Sequence, residues 1–516
     1  MRKKFGFQDI AYRSINIVFF GIMSLVLFIC LFLYKTDYAY RKQFRLPNWF
    51  YAGIGLLVIS LICFLVWLLR EKINQFRYHR LFMLLLSGLF CCLLVFLSYH
   101  YYFKTGWDSQ MVVLSAEAAA KKDWAHVQNK YFSYYPNNAF LVFLFSVPIR
   151  IGMLFGIKNY YFCVILFQCV LFAGTGYLLY RCAQMLTDPA CGVAVWFLYV
   201  LLIGLSPWVV IPYSDATGLI FPMVQFYAFL RIRRKEYPGF FLFLLTFTCY
   251  IGYRIKPQAA IMGIAILIVT IISFGKVNKK DLRRIALSVF SLCLGFLLGF
   301  VIVQSGIKAT GLEMDPECTF GLPHFIMLGL NDEYGGVINI VDQDFSMSFS
   351  NAKERNQANL RVALERVRKM KVSGLLKLGK EKILTNFTDG TFAWWEEGEF
   401  IIEQRYEGNR KLREILSSFY YKDGKYFEAF KNIMQTLWFG CLAGLLLGFR
   451  LSGERKEIGV LKLSVIGIFL FETIFEARAR YLFLYVPFIL LLAMMGIYQN
   501  MGKWKAKSDA GTGHQG

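Results

Sequence analysis

Charge, histidine and paired cysteine are all scarce in this sequence. Charged residues make up 18% of the 516 positions, and there are five histidines. A soluble globular domain carries about a quarter charged residues, so a soluble multidomain enzyme is disfavoured. There is no Cys-x-x-Cys or His-x-x-His pair, which argues against a structural metal. Most of the 12 cysteines lie inside apolar runs, as Cys91, Cys92, Cys249 and Cys293 do. Cys318 alone sits in the large polar loop, so that loop has no disulfide of its own. The absence of a Walker A motif and of a glycine-rich dinucleotide loop disfavours an ATP-driven pump. No internal repeat or low-complexity tract is visible.

What is abundant is apolar. Hydrophobic residues reach 57% and aromatics 18%, with 51 Phe and 30 Tyr. Mean hydropathy is +0.47. Disorder is thereby excluded for most of the chain, and the aromatic content suits lipid contact and interfacial belts. The net charge of +23 would suggest nucleic acid in a soluble protein. Here most of the excess falls in short loops between apolar runs, so it reads as a topology signal and no nucleic-acid partner is expected. Met1-Arg2-Lys3-Lys4 followed by the apolar stretch 14–34 resembles a signal peptide. The stretch is too long and no small-x-small site follows it, so it is expected to be an uncleaved first span.

A bilayer crossing needs about 20 apolar residues. The candidates are 14–34, 49–69, 81–103, 159–180, 190–211, 216–230, 239–253, 257–274, 285–306, 432–449, 459–475 and 481–498. One more run, Ala139–Ile157, contains Pro148 and Arg150. Left out of the count, it gives twelve spans and puts both termini on the cytoplasmic side. The loops carrying Arg70/Arg77/Arg80, Arg231/Arg233/Arg234, Lys279/Lys280/Arg283 and Arg455/Lys456 then fall on that side too. Counted as a span, it would put the second half's basic loops outside, against the positive-inside bias. It is therefore read as a re-entrant or surface helix. The loop 35–48, with Lys35, Arg41, Lys42 and Arg45 on the outer side, departs from the rule.

The expected fold class is an all-α polytopic membrane protein of about twelve transmembrane helices. It adds a re-entrant outer-face helix and a soluble external α+β insertion. The expected units are a catalytic membrane module 1–306, an extracytoplasmic domain 307–430, and the last helices with a cytoplasmic tail, 431–516. Helical spacing is plain over 352–372, and turn signals mark Gly329–Gly336 and Thr388–Gly390. Gly295-Phe296-Leu297-Leu298-Gly299 fits small-xxx-small helix contact. The sequon Asn386-Phe387-Thr388 is given no weight.

Several polar groups gather at the outer ends of spans. Asp108, in Lys104-Thr105-Gly106-Trp107-Asp108-Ser109, could be a helix N-cap. Its company is an interfacial tryptophan and the run Tyr131–Asn138, including Tyr135, Asn137 and Asn138. Aromatics and amides at a membrane surface suit a sugar, by stacking on C–H faces and hydrogen bonding to hydroxyls. Asp215, in Pro212-Tyr213-Ser214-Asp215, could likewise cap a helix. Arg254 and Lys256 flank a proline break between two spans, and snorkelling cations are the bland alternative. Their place on the outer face, where cations are disfavoured, points to an anionic ligand. Glu476-Ala477-Arg478-Ala479-Arg480-Tyr481 repeats that situation, and arginine matches phosphate oxygens in a bidentate way.

These segments, in this order and on one side, resemble the GT-C superfamily of integral-membrane glycosyltransferases. The likeness is to bacterial cell-envelope members similar to the family 39 mannosyltransferases and lipid A aminoarabinose transferases. It covers the membrane portion to about residue 275 and the last spans. In the simplest members the catalytic loop follows the first span; here it follows the third. The resemblance implies inverting transfer from a polyprenyl-phosphate sugar to a cell-envelope glycan or lipid at the outer face. Asp108 would be the general base. Arg254, Lys256, Arg478 and Arg480 would hold the donor phosphate and stabilise the leaving group. Asp215 would orient the acceptor or one of these cations, and Glu476 would hold Arg480. A monophosphate donor leaves one phosphate, so neither metal nor other cofactor is expected. The external stretch, with His324 and Trp394-Trp395-Glu396-Glu397, would choose the acceptor. The expected partners are this donor, this acceptor and membrane lipids.

Two other classes fit in part. A lipid-linked oligosaccharide flippase would place charges near the midplane and show repeats. A polysaccharide polymerase or ligase shares the outer arginines and large outer loop, without needing the early aspartate.

Overall fold

A computed structural model of the chain describes residues 6–33, 46–273, 282–398, 400–404, 408–450 and 456–512. The basic residues of loop 35–45 and Lys276, Lys279, Lys280 and Arg455 lie outside the described residues. The chain is predominantly helical. Its principal helices begin with α1 (Phe7–Phe32), α2 (Asn48–Leu68), α3 (His79–Tyr101), α4 (Trp107–Lys121), α5 (Ala139–Leu154), α6 (Tyr160–Leu186) and α7 (Pro189–Tyr199). They continue with α8 (Ile220–Arg233), α9 (Pro238–Ile255), α10 (Ala260–Ile272), α11 (Leu282–Lys308), α12 (Leu322–Gly329) and α13 (Ile340–Met347). The last are α14 (Ala352–Phe387), α15 (Arg410–Tyr420), α16 (Phe427–Leu447), α17 (Lys456–Ile474) and α18 (Val486–Thr512).

Each of the twelve apolar runs read from the sequence contains a helix among the described residues. The reason is local: long apolar stretches in lipid must satisfy their backbone internally, and a helix does so. Eight described helices are long and apolar enough to cross a membrane, and Pro189–Gly204, Pro257–Ile272 and Val486–Met501 are shorter apolar ones. The eight include Pro136–Leu154. Pro148 lies within this helix without ending it. Length and composition therefore admit a crossing at α5, which the distribution of basic loops disfavours.

Small residues set the closest helix crossings. A Cβ on Gly55 of α2 would lie 1.9 Å from the Thr436 carbonyl of α16, and Gly440 faces the Gly55 backbone in return. Gly295 of α11 sits against the Phe243 carbonyl of α9 in the same way. Such contacts let backbones approach where lipid offers no hydrophobic drive for association.

The stretch 307–430 is mostly helical and packs on the ends of the apolar helices rather than apart from them. Trp208 Nε1 donates to the Thr391 carbonyl at 3.2 Å, and Trp438 Nε1 to the Phe387 carbonyl at 2.8 Å. Tyr420 Oη donates to the Leu205 carbonyl at 3.0 Å. Its described strand, β2 (Ile401–Gln404), pairs antiparallel with β1 (Phe103–Thr105), which lies between α3 and α4. The register sets Phe103 opposite Gln404 and Lys104 opposite Glu403, then slips before Thr105. Lys104 and Glu403 also form an ion pair at 2.8 Å.

Candidate functional site

The strand β1 delivers the chain into α4 through Gly106. The Gly106 amide donates to the Phe400 carbonyl at 2.9 Å, and a Cβ here would fall 2.8 Å from the Phe400 ring. A side chain here would have to displace the Phe400 ring. The next residue, Trp107, holds φ at +45°. This left-handed backbone costs a bulky residue about 1–3 kcal/mol and persists only where surroundings over-determine it. Asp108 follows in the first turn of α4 and caps nothing with its side chain. It is half-buried.

Asp108 Oδ2 accepts from Tyr213 Oη at 3.0 Å. The same phenol oxygen accepts from Asn138 Nδ2 at 3.2 Å, and Asn138 also reaches Tyr131 Oη at 2.7 Å. Ser109 Oγ donates to the Pro212 carbonyl at 2.9 Å, fastening the start of α4 to the Tyr213 segment. Trp107 and Tyr213 meet edge to face at 4.8 Å. The Arg480 guanidinium lies over both rings, 4.8 Å from Trp107 and 5.5 Å from Tyr213. Cation and ring quadrupole attract in this arrangement.

Beneath these rings is a largely buried ionic network. Asp215 pairs with Lys256 through Oδ1 and with Arg480 Nη1 at 3.0 Å through Oδ2. Glu397 Oε2 lies 2.8 Å from Arg480 Nε and 2.6 Å from Arg478 Nη1. Arg478 Nε also meets Glu476 Oε1 at 2.5 Å, and Tyr481 Oη donates to Glu476 Oε2 at 3.2 Å. Lys256 Nζ sits over the Tyr481 ring at 4.5 Å. Burial lowers the Lys256 ammonium to about 8 although Asp215 opposes that shift. Burial works against charge on Glu476 as well, but Arg478 and Arg480 outweigh it and hold the carboxyl below its ordinary range.

The backbone of this network is clamped from outside. Gly336 accepts from the Ala477 amide at 2.8 Å. Lys382 Nζ donates to three carbonyls: Gly329 at 2.9 Å, Thr473 at 2.8 Å and Phe475 at 2.5 Å. Burial pulls its ammonium down to about 7, with Glu472 and Glu476 opposing. The turn Gly329–Gly336 thus braces the segment 475–480.

Asp108, Asp215, Lys256, Glu476, Arg478, Arg480 and Asn138 are therefore neighbours directly or through one side chain. Asn137 reaches Asn138 Oδ1 at 3.2 Å. Tyr135 stacks near Tyr131 and Phe320 and accepts from Gln343 Nε2 at 3.4 Å. Two expected residues stand apart. Arg254 is half-buried, and its Nε is buried with no hydrogen-bond partner. His324 is enclosed, stacked on Phe320 at 4.1 Å and bonded through Nδ1 to Ser346 Oγ at 2.7 Å. Burial lowers its ring to about 4, so it is neutral and packed rather than turned toward a ligand.

One member of the network, Glu397, stands out in the sequence only as part of the external stretch. The available signal is the adjacent pair Glu396-Glu397 after two tryptophans, in a chain with Arg478 and Arg480 to match. Among the described residues no group of three or more His, Cys, Asp or Glu side chains could hold a metal ion.

A family model described as a conserved hypothetical integral membrane protein matches residues 7–501. No curated protein matches the chain. Among solved structures it is similar to the archaeal oligosaccharyltransferase AglB from Archaeoglobus fulgidus, in complex with an inhibitory peptide and a dolichol-phosphate. The TM-score is 0.42 and the identity 13%, over 84% of this chain and 52% of that one. The chain thus spans about half the length of that protein.

Proposed function

We propose, from the premise that this chain belongs to the family of conserved hypothetical integral membrane proteins, that it is a multi-pass membrane glycosyltransferase. The donor is a polyprenyl-phosphate sugar and the acceptor a cell-envelope glycan or lipid. The reaction runs at the outer face, with both termini cytoplasmic. One observation carries the reading: Tyr213 touches Asp108 at 3.0 Å and lies 5.5 Å beneath Arg480, which links a half-exposed carboxylate to a buried cation cluster.

In this reading Asp108 takes the proton of the acceptor hydroxyl as that oxygen attacks the anomeric carbon. A positioned base contributes about 10²–10⁴-fold. The bond from anomeric carbon to phosphate oxygen breaks, and the leaving phosphate takes the electron pair. Three acids and three bases already pair within the network, so it is neutral as a unit. Its part is to present fixed dipoles to the developing charge in a site shielded from water. Arg254, set apart from this network, offers its unmatched Nε as a further donor to the lipid phosphate. Trp107 Nε1, also buried without a hydrogen-bond partner beside Asp108, donates to a sugar hydroxyl.

Asp108→Asn tests this directly. It keeps shape but cannot accept the proton, so transfer from a synthetic polyprenyl-phosphate sugar in nanodiscs should fall at least about 10²-fold. Donor affinity and thermal unfolding should stay near those of the unaltered protein. Near-normal transfer by a well-folded variant removes Asp108 from the role of base.

A further inference from the structure

The long helix α14 carries an outward face that nothing in the molecule covers. The side chains of Arg361, Arg368, Lys369, Lys371 and Lys377 are exposed and make no hydrogen bond or ion pair among the described residues. Aliphatic side chains share this exposure. Leu360 and Leu364 stand one turn apart, and so do Val372 and Leu376, at 73% and 71% exposed. Between the two pairs the helix kinks at Lys371, where φ is +54°.

The position of this face follows from what lies below it. Lys382 grips the carbonyls of Thr473 and Phe475 at the outer end of α17, and Phe387 meets Phe469 at 6.3 Å. Leu376 lies six residues before Lys382, or about 9 Å along a helix. Leu470 and Ile474 of α17 are themselves 48% exposed. Exposed aliphatic side chains thus occur both on α17 and on the stretch of α14 that precedes Lys382, the residue that joins the two helices.

We propose that the kinked face of α14 from residue 360 to 377 lies on the outer leaflet and binds anionic phospholipid headgroups. Basic side chains beside aliphatic ones are the composition of an interfacial helix, where the aliphatic groups enter the headgroup boundary and the cations meet phosphate. A soluble polyanion would pair with the cations but leave Val372 and Leu376 in water. The kink at Lys371 lets the two halves of the helix meet the surface at different angles.

The experiment uses the full chain in nanodiscs of phosphatidylcholine alone or of phosphatidylcholine with phosphatidylglycerol. Amide hydrogen exchange is followed over 360–380, with α13 as internal reference. Exchange over 360–380 should slow when phosphatidylglycerol is present, and the effect should shrink at high salt. Each cation removed should lessen that protection by about fivefold, the equivalent of about 1 kcal/mol per basic residue at an anionic surface. The triple variant Lys369→Glu/Lys371→Glu/Lys377→Glu should exchange alike in both discs and unfold thermally like the unaltered protein. Val372→Ser/Leu376→Ser should speed exchange in both discs. Equal exchange of the unaltered protein in the two lipids overturns the proposal. So does protection by soluble polyphosphate in phosphatidylcholine discs without any phosphatidylglycerol effect, which would give the face to a polymer.

Discussion

Asp215 serves two cations at once in a buried place. Lys256 and Arg480 both depend on it, and both are buried. Breaking a buried pair by removing one partner typically costs about 3–5 kcal/mol, because the other charge is left uncompensated. Asp215→Ala should therefore lower thermal stability sharply, and adding Lys256→Met should return part of the loss. Unchanged unfolding of Asp215→Ala in detergent would mean that the pairs do not hold in the folded protein. Glu397 is a separate matter. It bridges Arg478 and Arg480, so Glu397→Gln should loosen both guanidinium groups and weaken transfer at least about tenfold, on the reading that these groups face the leaving phosphate. Donor titration of the variant, set against its turnover, checks this. Asp108, Asp215, Lys256 and Arg480 were legible because each is a charge at the apolar end of a span, where charge is costly by default. Glu397 was not, because in a polar stretch a carboxylate is unremarked. Its meaning depends on a partner 83 residues on in Arg480. For His324 the sequence left a packed residue and an acceptor-facing one open, since burial is decided by Phe320 and Ser346 around it.

Helices were readable from apolar length; their crossings were readable only where glycine recurs at four-residue spacing. Gly295 and Gly299 announced a close helix contact, though not that its partner would be α9. Gly55 did not, since Gly53 and Gly55 point to different sides of α2. Gly53 has nothing within 4 Å of an added Cβ, whereas Gly55 meets backbone at 1.9 Å. Overpacking costs about 1–3 kcal/mol, and here backbone would have to move. Gly55→Ala should lower the unfolding temperature clearly and Gly53→Ala should leave it unchanged; equal effects would deny the close crossing. Lys382 offers a test through pH, since it ties α12 and α14 to the end of α17. Its folded value of about 7 lies below that of an unfolded lysine. Below about pH 7 both states carry the charge, and its burial penalty is constant. Between about 7 and the ordinary lysine range the unfolded chain holds the extra proton, so this group's contribution to stability rises with pH. Thermal scans of Lys382→Met across that window should show a shallower rise than the unaltered protein, the remainder coming from Lys256, which burial also lowers. An identical slope in both would remove Lys382 as its source.

At the scale of the molecule the side of the membrane is the property that decides whether the parts belong together. If α5 lies along the outer surface, cysteines placed at the exposed positions 122 and 158 should both react with an impermeant maleimide added outside. Reaction of position 158 from the cytoplasmic side alone would make α5 a span and invert every later loop. The sequence conveyed a multi-pass chain through composition and loop charge. It did not convey that the first outer loop and the stretch 307–430 share a sheet, because a strand of three residues has no periodicity to read.

The network around Asp215 also has an order of arrival. A ribosome adds about 5–20 residues per second. Lys256 emerges soon after Asp215, but Arg480 is 265 positions downstream of it, about 13–53 s later at that pace. For that interval Asp215 and Lys256 have been made without Arg480, and Glu397 too is made before the arginines it will bridge. A chain stalled or cut short of residue 478 would carry every early residue of the cluster and neither arginine. If the arginines face the leaving phosphate as proposed, competence for transfer is delivered by the last segments to leave the ribosome, and partial products are silent by construction.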